Sequence, residues 1–329
     1  MVQKIGVERV VAFSSLEICA GAGGQALGLE RAGFDHVALV ENDAHAVATL
    51  RHNRPHWNAL GQDLAAFVGT RYRGIDLLAG GVPCPPFSKA GHQLGSADER
   101  NLFPAALRLV DEIRPRAVMF ENVRGLLDPV FAPYRADIEA QMRALGYAPL
   151  GWHLLNASNF GVPQLRPRVV FVAIKRALAD GFAMPQNAAA PTKTVGETLC
   201  DLMAERSWSG AAQWAAAANQ IAPTVVGGSK KHGGPDLGPT RARKAWAGLG
   251  VDGLGIANEA PGPDFVGMPR LTVRMVARLQ GFPDDWHFLG GKTASYRQVG
   301  NAFPPPVAEA VARAIAKTLE ARRLVSLSA

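Results

Sequence analysis

Cysteine is scarce: Cys19, Cys84 and Cys200 are the only three in 329 residues. An odd number at such wide spacing builds neither a disulfide framework nor the paired ligands of a zinc site. Free thiols in a reducing compartment and no bound metal are therefore expected. Long apolar runs are also missing, since no segment approaches the roughly 20 apolar residues of a membrane span. The N-terminal MVQKIGVERVVAFSSLEICAG has no apolar core followed by a small-residue cleavage site. A soluble, cytoplasmic protein with no membrane partner is expected, and there are no internal repeats. Charge is sparse as well. At 19% charged and 48% hydrophobic, the chain reads as folded and globular, not disordered. Lys and Arg number 35 against 28 Asp and Glu, a net charge of +7. Such a bias permits a polyanionic partner without requiring one.

What is present is alternation. The runs at 14–19, 36–41, 75–81, 116–122 and 168–174 have the apolar character of buried strands. Helical spacing appears at 23–33, 43–53, 101–113 and 134–145, with Gly33 as a stop for the first of these helices. Strands alternating with helices predict a parallel sheet covered on both faces, the doubly wound α/β class. The texture then changes. Between Pro223 and Pro263, 10 glycines and 5 prolines fall in 41 residues, which predicts loops in place of regular elements. Helices are expected again at 272–280 and 304–323, the latter amphipathic with prolines at its start.

Several segments carry chemistry. AGAGG (20–24) lies between a strand and a helix, and Glu41 ends the next strand 20 residues past Gly21. That is the position from which a carboxylate grips ribose hydroxyls in dinucleotide-type folds. The glycines do not fit GxGxxG, which counts against a nicotinamide cofactor and leaves other adenosine-containing ligands. Asp63 in GQD could accept from an adenine amino group or simply open a short helix. In GGVPCPPFS (80–88), Cys84 follows a strand and sits between prolines. A buried structural thiol and a nucleophile both remain open on these residues alone. Glu121 ends the strand RAVMFE, and in a parallel sheet it would emerge on the same edge as Cys84. QLRPR brings Gln164, Arg166 and Arg168 before a further strand. Residues 227–244 hold five Lys or Arg and one Asp among glycines, either a solvated loop or a phosphate-contacting surface.

In this order the segments resemble the DNA cytosine-5 methyltransferases of bacterial restriction-modification systems. The resemblance runs through EICAGAGG with Glu41, GQDL, GGVPCPPFS, FENV and QLRPRVVFVAI. It continues through RLTVRMVARLQGFP (270–283) and YRQVGNAFPPPVAEAVA (296–312). It implies a doubly wound, Rossmann-like sheet dependent on S-adenosyl-L-methionine over 1–183 and 294–329. A smaller, loop-rich target-recognition domain would occupy 184–293. The implied partner is double-stranded DNA, with the target base flipped out of the duplex. The chain would act as a monomer, and a cognate restriction endonuclease would be linked to it by function but not by contact.

The same resemblance assigns roles. Cys84 would attack C6 of cytosine, Glu121 would hold and protonate N3, and Arg168 with Arg166 would contact O2 and the adduct. Cys19, Ala20, Gly21, Gly23 and Gly24 would form the cofactor turn. Glu41, Asn42, Asp63, Leu64, Pro83 and Asn301 would complete that pocket. Ser88 and Arg100 would contact the flipped nucleotide's phosphates. Gln164, Thr224, Val225, Lys230, Lys231, His232, Arg241 and Arg243 would face DNA. The chain departs from the family at Cys19, where Phe is usual, and at Asn42, which replaces a common aromatic. Pro85 stands where Gln usually follows the nucleophile, and Met275 leaves Arg274 without its usual acidic neighbour. A tRNA cytosine-5 methyltransferase of the same fold would share the catalytic residues, and the long basic insert favours DNA over it. A DNA-binding protein with an inactive methylase fold is disfavoured by the intact Cys84, Glu121 and Arg168. A nicotinamide oxidoreductase is the third alternative.

Overall fold

The computed structural model describes residues 12–83, 101–187, 192–228 and 234–327. Its first half opens with β1 (Phe13–Ile18), α1 (Gly24–Arg31), β2 (Phe34–Glu41), α2 (Ala44–Asn53), β3 (Ala59–Gly61) and β4 (Leu77–Gly81). Then follow α3 (Phe103–Ile113), β5 (Ala117–Val123), α4 (Ala132–Ala144), β6 (Tyr147–Asn156) and β7 (Pro167–Lys175). The seven strands form one sheet in the order β3-β2-β1-β4-β5-β7-β6.

The end signals work as their chemistry dictates. α1 stops just before Gly33, which has a φ of 89°. The Asp43 carboxylate caps α2 by accepting from the backbone N–H groups of His45 and Ala46. α3 buries Phe103, Leu107, Val110 and Ile113, spaced by three and four residues, against one face of the sheet. The opposite face is covered by α10 (Pro305–Leu327), which packs Val307, Val311 and Ile315 with Phe34, Leu77 and Val172.

The expectation of a wholly parallel sheet needs correction. β1 pairs in parallel with β2 and β4, and β4 with β5, but β7 runs antiparallel to both β5 and β6. The reason lies in chain length. β6 and β7 are joined by residues 157–166, shorter than the dozen or more residues that a parallel crossover requires.

The later region is more regular than its glycine content predicts. It forms α5 (Val195–Ala204), α6 (Ala211–Ala217), α7 (Thr240–Ala247), α8 (Val273–Leu279) and α9 (Lys292–Asn301). α5 begins with a reciprocal cap, in which the Thr194 hydroxyl accepts from Glu197 N–H and the Glu197 carboxylate accepts from Thr194 N–H. α7 exposes Arg241 and Lys244 and buries Trp246. One apolar cluster joins these helices to the first half, placing Leu27, Leu50 and Trp57 with Leu199, Trp246 and Val299.

A polar clasp carries α9 across the carboxyl edge of the sheet. The Thr49 hydroxyl donates to Gln298 Oε1 at 2.7 Å in a buried contact. Trp286 Nε1 donates to the Ala22 carbonyl at 3.1 Å, and the Arg54 guanidinium lies over the Trp286 ring.

Candidate active site

β4 and β5 are parallel, and their register places Gly81 opposite Glu121. Both strands therefore deliver their last residues to one edge. Beyond Gly81 the chain is held there, because Asn122 Nδ2 donates to the Val82 carbonyl at 2.7 Å. Cys84, Ser88 and Arg100 lie outside the described residues, with Pro83 the last described position before Cys84.

Arg168 reaches the same edge from the other direction. Because β7 is antiparallel to β5, its second residue pairs with Val123 at the end of β5. The Arg168 Nε then lies 2.8 Å from Glu121 Oε1, with both side chains largely buried. Burial raises the Glu121 carboxyl above its ordinary range, and the Arg168 and Arg166 charges only partly oppose this. A carboxyl that keeps its proton more readily, beside a fixed guanidinium, can donate to a ring nitrogen and present cation donors to a ring carbonyl.

Arg166 is placed differently. It is fully buried and donates through Nη1 to the Val225 carbonyl (2.7 Å) and through Nη2 to the carbonyls of Gly300 (2.7 Å) and Ala302 (2.9 Å). It thus ties the 164–168 segment to the 225 loop and to the end of α9. Gln164 is also fully buried. Its amide N–H₂ donates to the Leu279 carbonyl and to Gln280 Oε1, and its Oε1 accepts from Val225 N–H at 2.9 Å. In this arrangement neither side chain faces outward. The Thr224 hydroxyl donates to the Leu165 carbonyl and Val225 is buried, so the pair is docked on QLRPR. Gly227 and Gly300 pack backbone to backbone in the same place. A Cβ on Gly227 would lie 2.6 Å from the Arg297 carbonyl oxygen. Arg241 is exposed and Arg243 half-buried on α7, while Lys230, Lys231 and His232 lie outside the described residues.

Beside the Glu121–Arg168 pair lies a cavity of about 300 Å³. Cys19, Ala20, Gly21, Gly24, Glu41 and Asn301 line it, together with Pro83 and Glu121. A neighbouring pocket of about 130 Å³ shares Cys19, Glu41 and Pro83 and adds Asn42 and Leu64. The Glu41 carboxylate accepts from Gly21 N–H (2.8 Å) and Asp43 N–H (2.7 Å), which fixes it at the rim. Two expected cofactor residues line neither pocket. Gly23 caps α1 with a φ of 88°, and a Cβ there would strike Leu50 and Trp286 at 2.8 and 2.9 Å. Asp63 is exposed and accepts from Ala65 N–H at 2.9 Å, the local turn role weighed for it.

Cys19 has an unusual backbone for a side-chain-bearing residue, with a φ of 52°. Its thiol is pushed up by burial and by the Glu41, Glu17 and Asp63 carboxylates, so it is no rival nucleophile.

Two lining residues escaped the sequence reading. Glu17 is 1% exposed with Oε2 unpartnered, and Gln25 is 3% exposed with both amide atoms unpartnered. Such buried orphans are rare unless a ligand or water completes them. The one available signal was a carboxylate in the interior of an apolar strand and an amide in the first turn of the next helix. Burial, and then the neighbouring Glu41, push the Glu17 carboxyl well up. A nucleoside joined to an amino acid fits this cavity: hydroxyl-binding Glu41 at its rim and unsatisfied polar atoms inside. Among the described residues no cluster of metal-ligating side chains occurs, and no helix is long and apolar enough to cross a membrane.

Residues 13–317 match the family described as C-5 cytosine-specific DNA methylase. The chain is 58% identical to the Type II methyltransferase M.NgoMIV of Neisseria gonorrhoeae over 312 residues, covering 94% of this chain and 98% of that protein. It is 56% identical to the Type II methyltransferase M.NaeI of Lentzea aerocolonigenes, covering 92% of this chain and 75% of the relative. In fold it is similar to a candidate DNA modification methyltransferase encoded in an Escherichia coli prophage. That likeness has a TM-score of 0.68 at 24% identity, over 94% of this chain and all of that one.

Proposed function

Because the chain belongs to the C-5 cytosine-specific DNA methylases, we propose that Cys84, Glu121 and Arg168 divide the chemistry of methyl transfer among them. The enzyme methylates cytosine at C5 in DNA and uses S-adenosyl-L-methionine. The observation that carries the residue assignment is the Glu121–Arg168 pair at 2.8 Å, on the strand edge where Gly81 leads toward Cys84 and beside the cavity.

A neutral cytosine ring is a poor methyl acceptor, which is why a covalent step is needed. The Cys84 thiolate forms a bond to C6, and the electron pair of the C5–C6 double bond shifts toward C5. Glu121 donates its proton to N3 as this happens, so negative charge does not accumulate on the ring. Arg168 holds O2 and keeps Glu121 in place. Bound cofactor supplies an electrophilic methyl group on its sulfonium. With the methyl group on C5, a solvent water takes the C5 proton and the freed electron pair restores the C5–C6 double bond. The C6–S bond breaks to release the Cys84 thiolate, and the N3 proton returns to Glu121. Ala20, Gly21, Gly24, Glu41 and Asn301 hold the cofactor at the edge of the sheet, with Asn42 and Leu64 at the neighbouring pocket. Arg166 acts by position, fastening the 225 loop and α9 to the strand that carries Arg168.

The substrate is a short, specific sequence in double-stranded DNA, from which the target base is flipped. Residues 184–293 form the target-reading part, with Ser88, Arg100, Lys230, Lys231, His232, Arg241 and Arg243 as DNA contacts. The two relatives named Type II methyltransferases support a protective role in a restriction-modification system. The protein then acts as a monomer in the cytoplasm, alongside a cognate endonuclease that it does not bind. Bisulfite sequencing of DNA from cells expressing the chain tests activity and target together. One short motif methylated at C5 is expected. Methylation of tRNA by the purified protein, with plasmid DNA untouched, would overturn the DNA reading.

A further inference from the structure

Gln25 occupies the first turn of α1, a helix whose N-terminus has no side-chain cap. Its residue is 3% exposed, it lines the 300 Å³ cavity, and neither its Oε1 nor its Nε2 has a partner. An unmet buried amide of this kind is destabilising, and an apolar side chain of the same size would avoid that cost. The amide is therefore poor as filler. Glu17 Oε2, on the wall of the same cavity, is likewise without a partner.

The unmet groups define what is missing. A carboxamide has one accepting end and one donating end, and it stands at an uncapped helix N-terminus, which favours negative charge. The unpartnered Glu17 Oε2 on the wall of the same cavity offers a further acceptor to an N–H donor. Glu17, Glu41, Asp43 and Glu121 contribute four carboxyl groups to the lining, while Arg297 is the single basic residue among the lining side chains and faces Asp43 at 3.6 Å. A zwitterionic amino-acid group satisfies all of these together. Its ammonium takes the acceptors and its carboxylate takes the N–H donors.

We propose that Gln25 reads the amino-acid end of the cofactor, its Oε1 accepting from the α-ammonium and its Nε2 donating to the α-carboxylate. This rests on the cavity being the S-adenosyl-L-methionine site. Gln25 is a specificity residue for the cofactor and takes no part in bond making.

The test is calorimetric binding of two ligands to the wild type, Gln25→Leu and Gln25→Met, with thermal melting to establish that each variant is folded. S-adenosylhomocysteine carries the amino-acid end, and 5′-methylthioadenosine lacks it. Expected is a loss of at least about a hundredfold in S-adenosylhomocysteine affinity, as for two hydrogen bonds to charged groups. Methylthioadenosine affinity should stay within about threefold, below the energy of a single such bond. Equal weakening of both ligands would assign Gln25 to packing and overturn the proposal, as would folded variants that bind both like wild type. A wild type that binds neither ligand would instead overturn the cofactor assignment of the cavity. Should the leucine variant not fold, the methionine variant decides, because its unbranched side chain matches glutamine in length.

Discussion

Arg168 lies at the start of β7 and Glu121 near the end of β5, yet Nε and Oε1 meet at 2.8 Å. The meeting depends on strand direction. Had β7 run parallel to β5, its first residues would have emerged at the far edge of the sheet, away from Gly81 and the cavity. One antiparallel strand in an otherwise doubly wound sheet thus brings a guanidinium to the carboxyl edge, where such folds place their chemistry.

The raised Glu121 carboxyl has a kinetic consequence. In the proposed mechanism its protonated form donates to N3, so the rate should fall as pH rises through its raised value. Glu121→Gln has no proton to lose. It should reduce kcat by at least about 100-fold, the usual contribution of a general acid, and remove that alkaline limb from the pH–rate profile. An unchanged limb in the glutamine variant would assign it to another group.

Arg166 makes a different prediction. Arg166→Met leaves the buried carbonyls of Val225 and Gly300 without the Arg166 donor, and leaves Ala302 with the weaker bond from Gln280 Nε2 at 3.3 Å. At about 1–3 kcal/mol for each unmet acceptor, partly relieved by relaxation, stability should fall by roughly 3–5 kcal/mol in chemical denaturation. Arg166→Lys keeps the charge but not the planar fork and should fall in between. A loss below about 1 kcal/mol for the methionine variant would mean that the clamp contributes little.

Glu17 should make the cofactor-free protein sensitive to alkali. Its carboxyl is raised well above the ordinary 4.5 by burial and by Glu41. Above that pH the unfolded chain releases a proton that the folded chain still holds. The folded state then loses about 1.4 kcal/mol of stability per pH unit, until pH reaches the folded value. Glu17→Gln escapes this loss. Its melting temperature should match wild type near pH 4 and exceed it increasingly toward neutral pH. A difference that does not vary with pH would contradict the burial account.

Much of this architecture was legible in the sequence because it is local. Gly33 and the apolar strands are written in adjacent residues. The direction of β7 was not, since it depends on how a ten-residue connection closes. Arg166 was expected beside Arg168 at the cytosine, and Gln164 at the DNA. Their partners at 225, 279 and 300 are too distant in sequence to be foreseen. Arg274 likewise lacks the neighbour usual in its family, yet the fold pairs it with Glu205 at 3.0 Å and Asp284 at 3.5 Å. Gly23 and Asp63 matched a cofactor pattern that their packing and local turn explain without a ligand.

The Gly227–Gly300 contact should make the 225 loop intolerant of a single methyl group. Gly227→Ala would press a Cβ against the Arg297 carbonyl and Asn301, both at 2.6 Å. DNA affinity in a mobility-shift assay should fall at least tenfold. Equal affinity for DNA in wild type and variant would separate this contact from DNA binding.

The central claim is that Cys84 bonds to cytosine C6 while Glu121 and Arg168 hold the ring. Target-sequence DNA bearing 5-fluorocytosine tests it most directly, because fluorine at C5 cannot leave as a proton does and the adduct is trapped. Wild type with S-adenosyl-L-methionine should give a DNA–protein complex that survives denaturing electrophoresis, with the cross-link on the peptide containing Cys84 by mass spectrometry. Cys84→Ala should give none and should transfer no methyl group to ordinary DNA. Methyl transfer by Cys84→Ala, or a cross-link mapped to Cys19 or Cys200, would contradict the account.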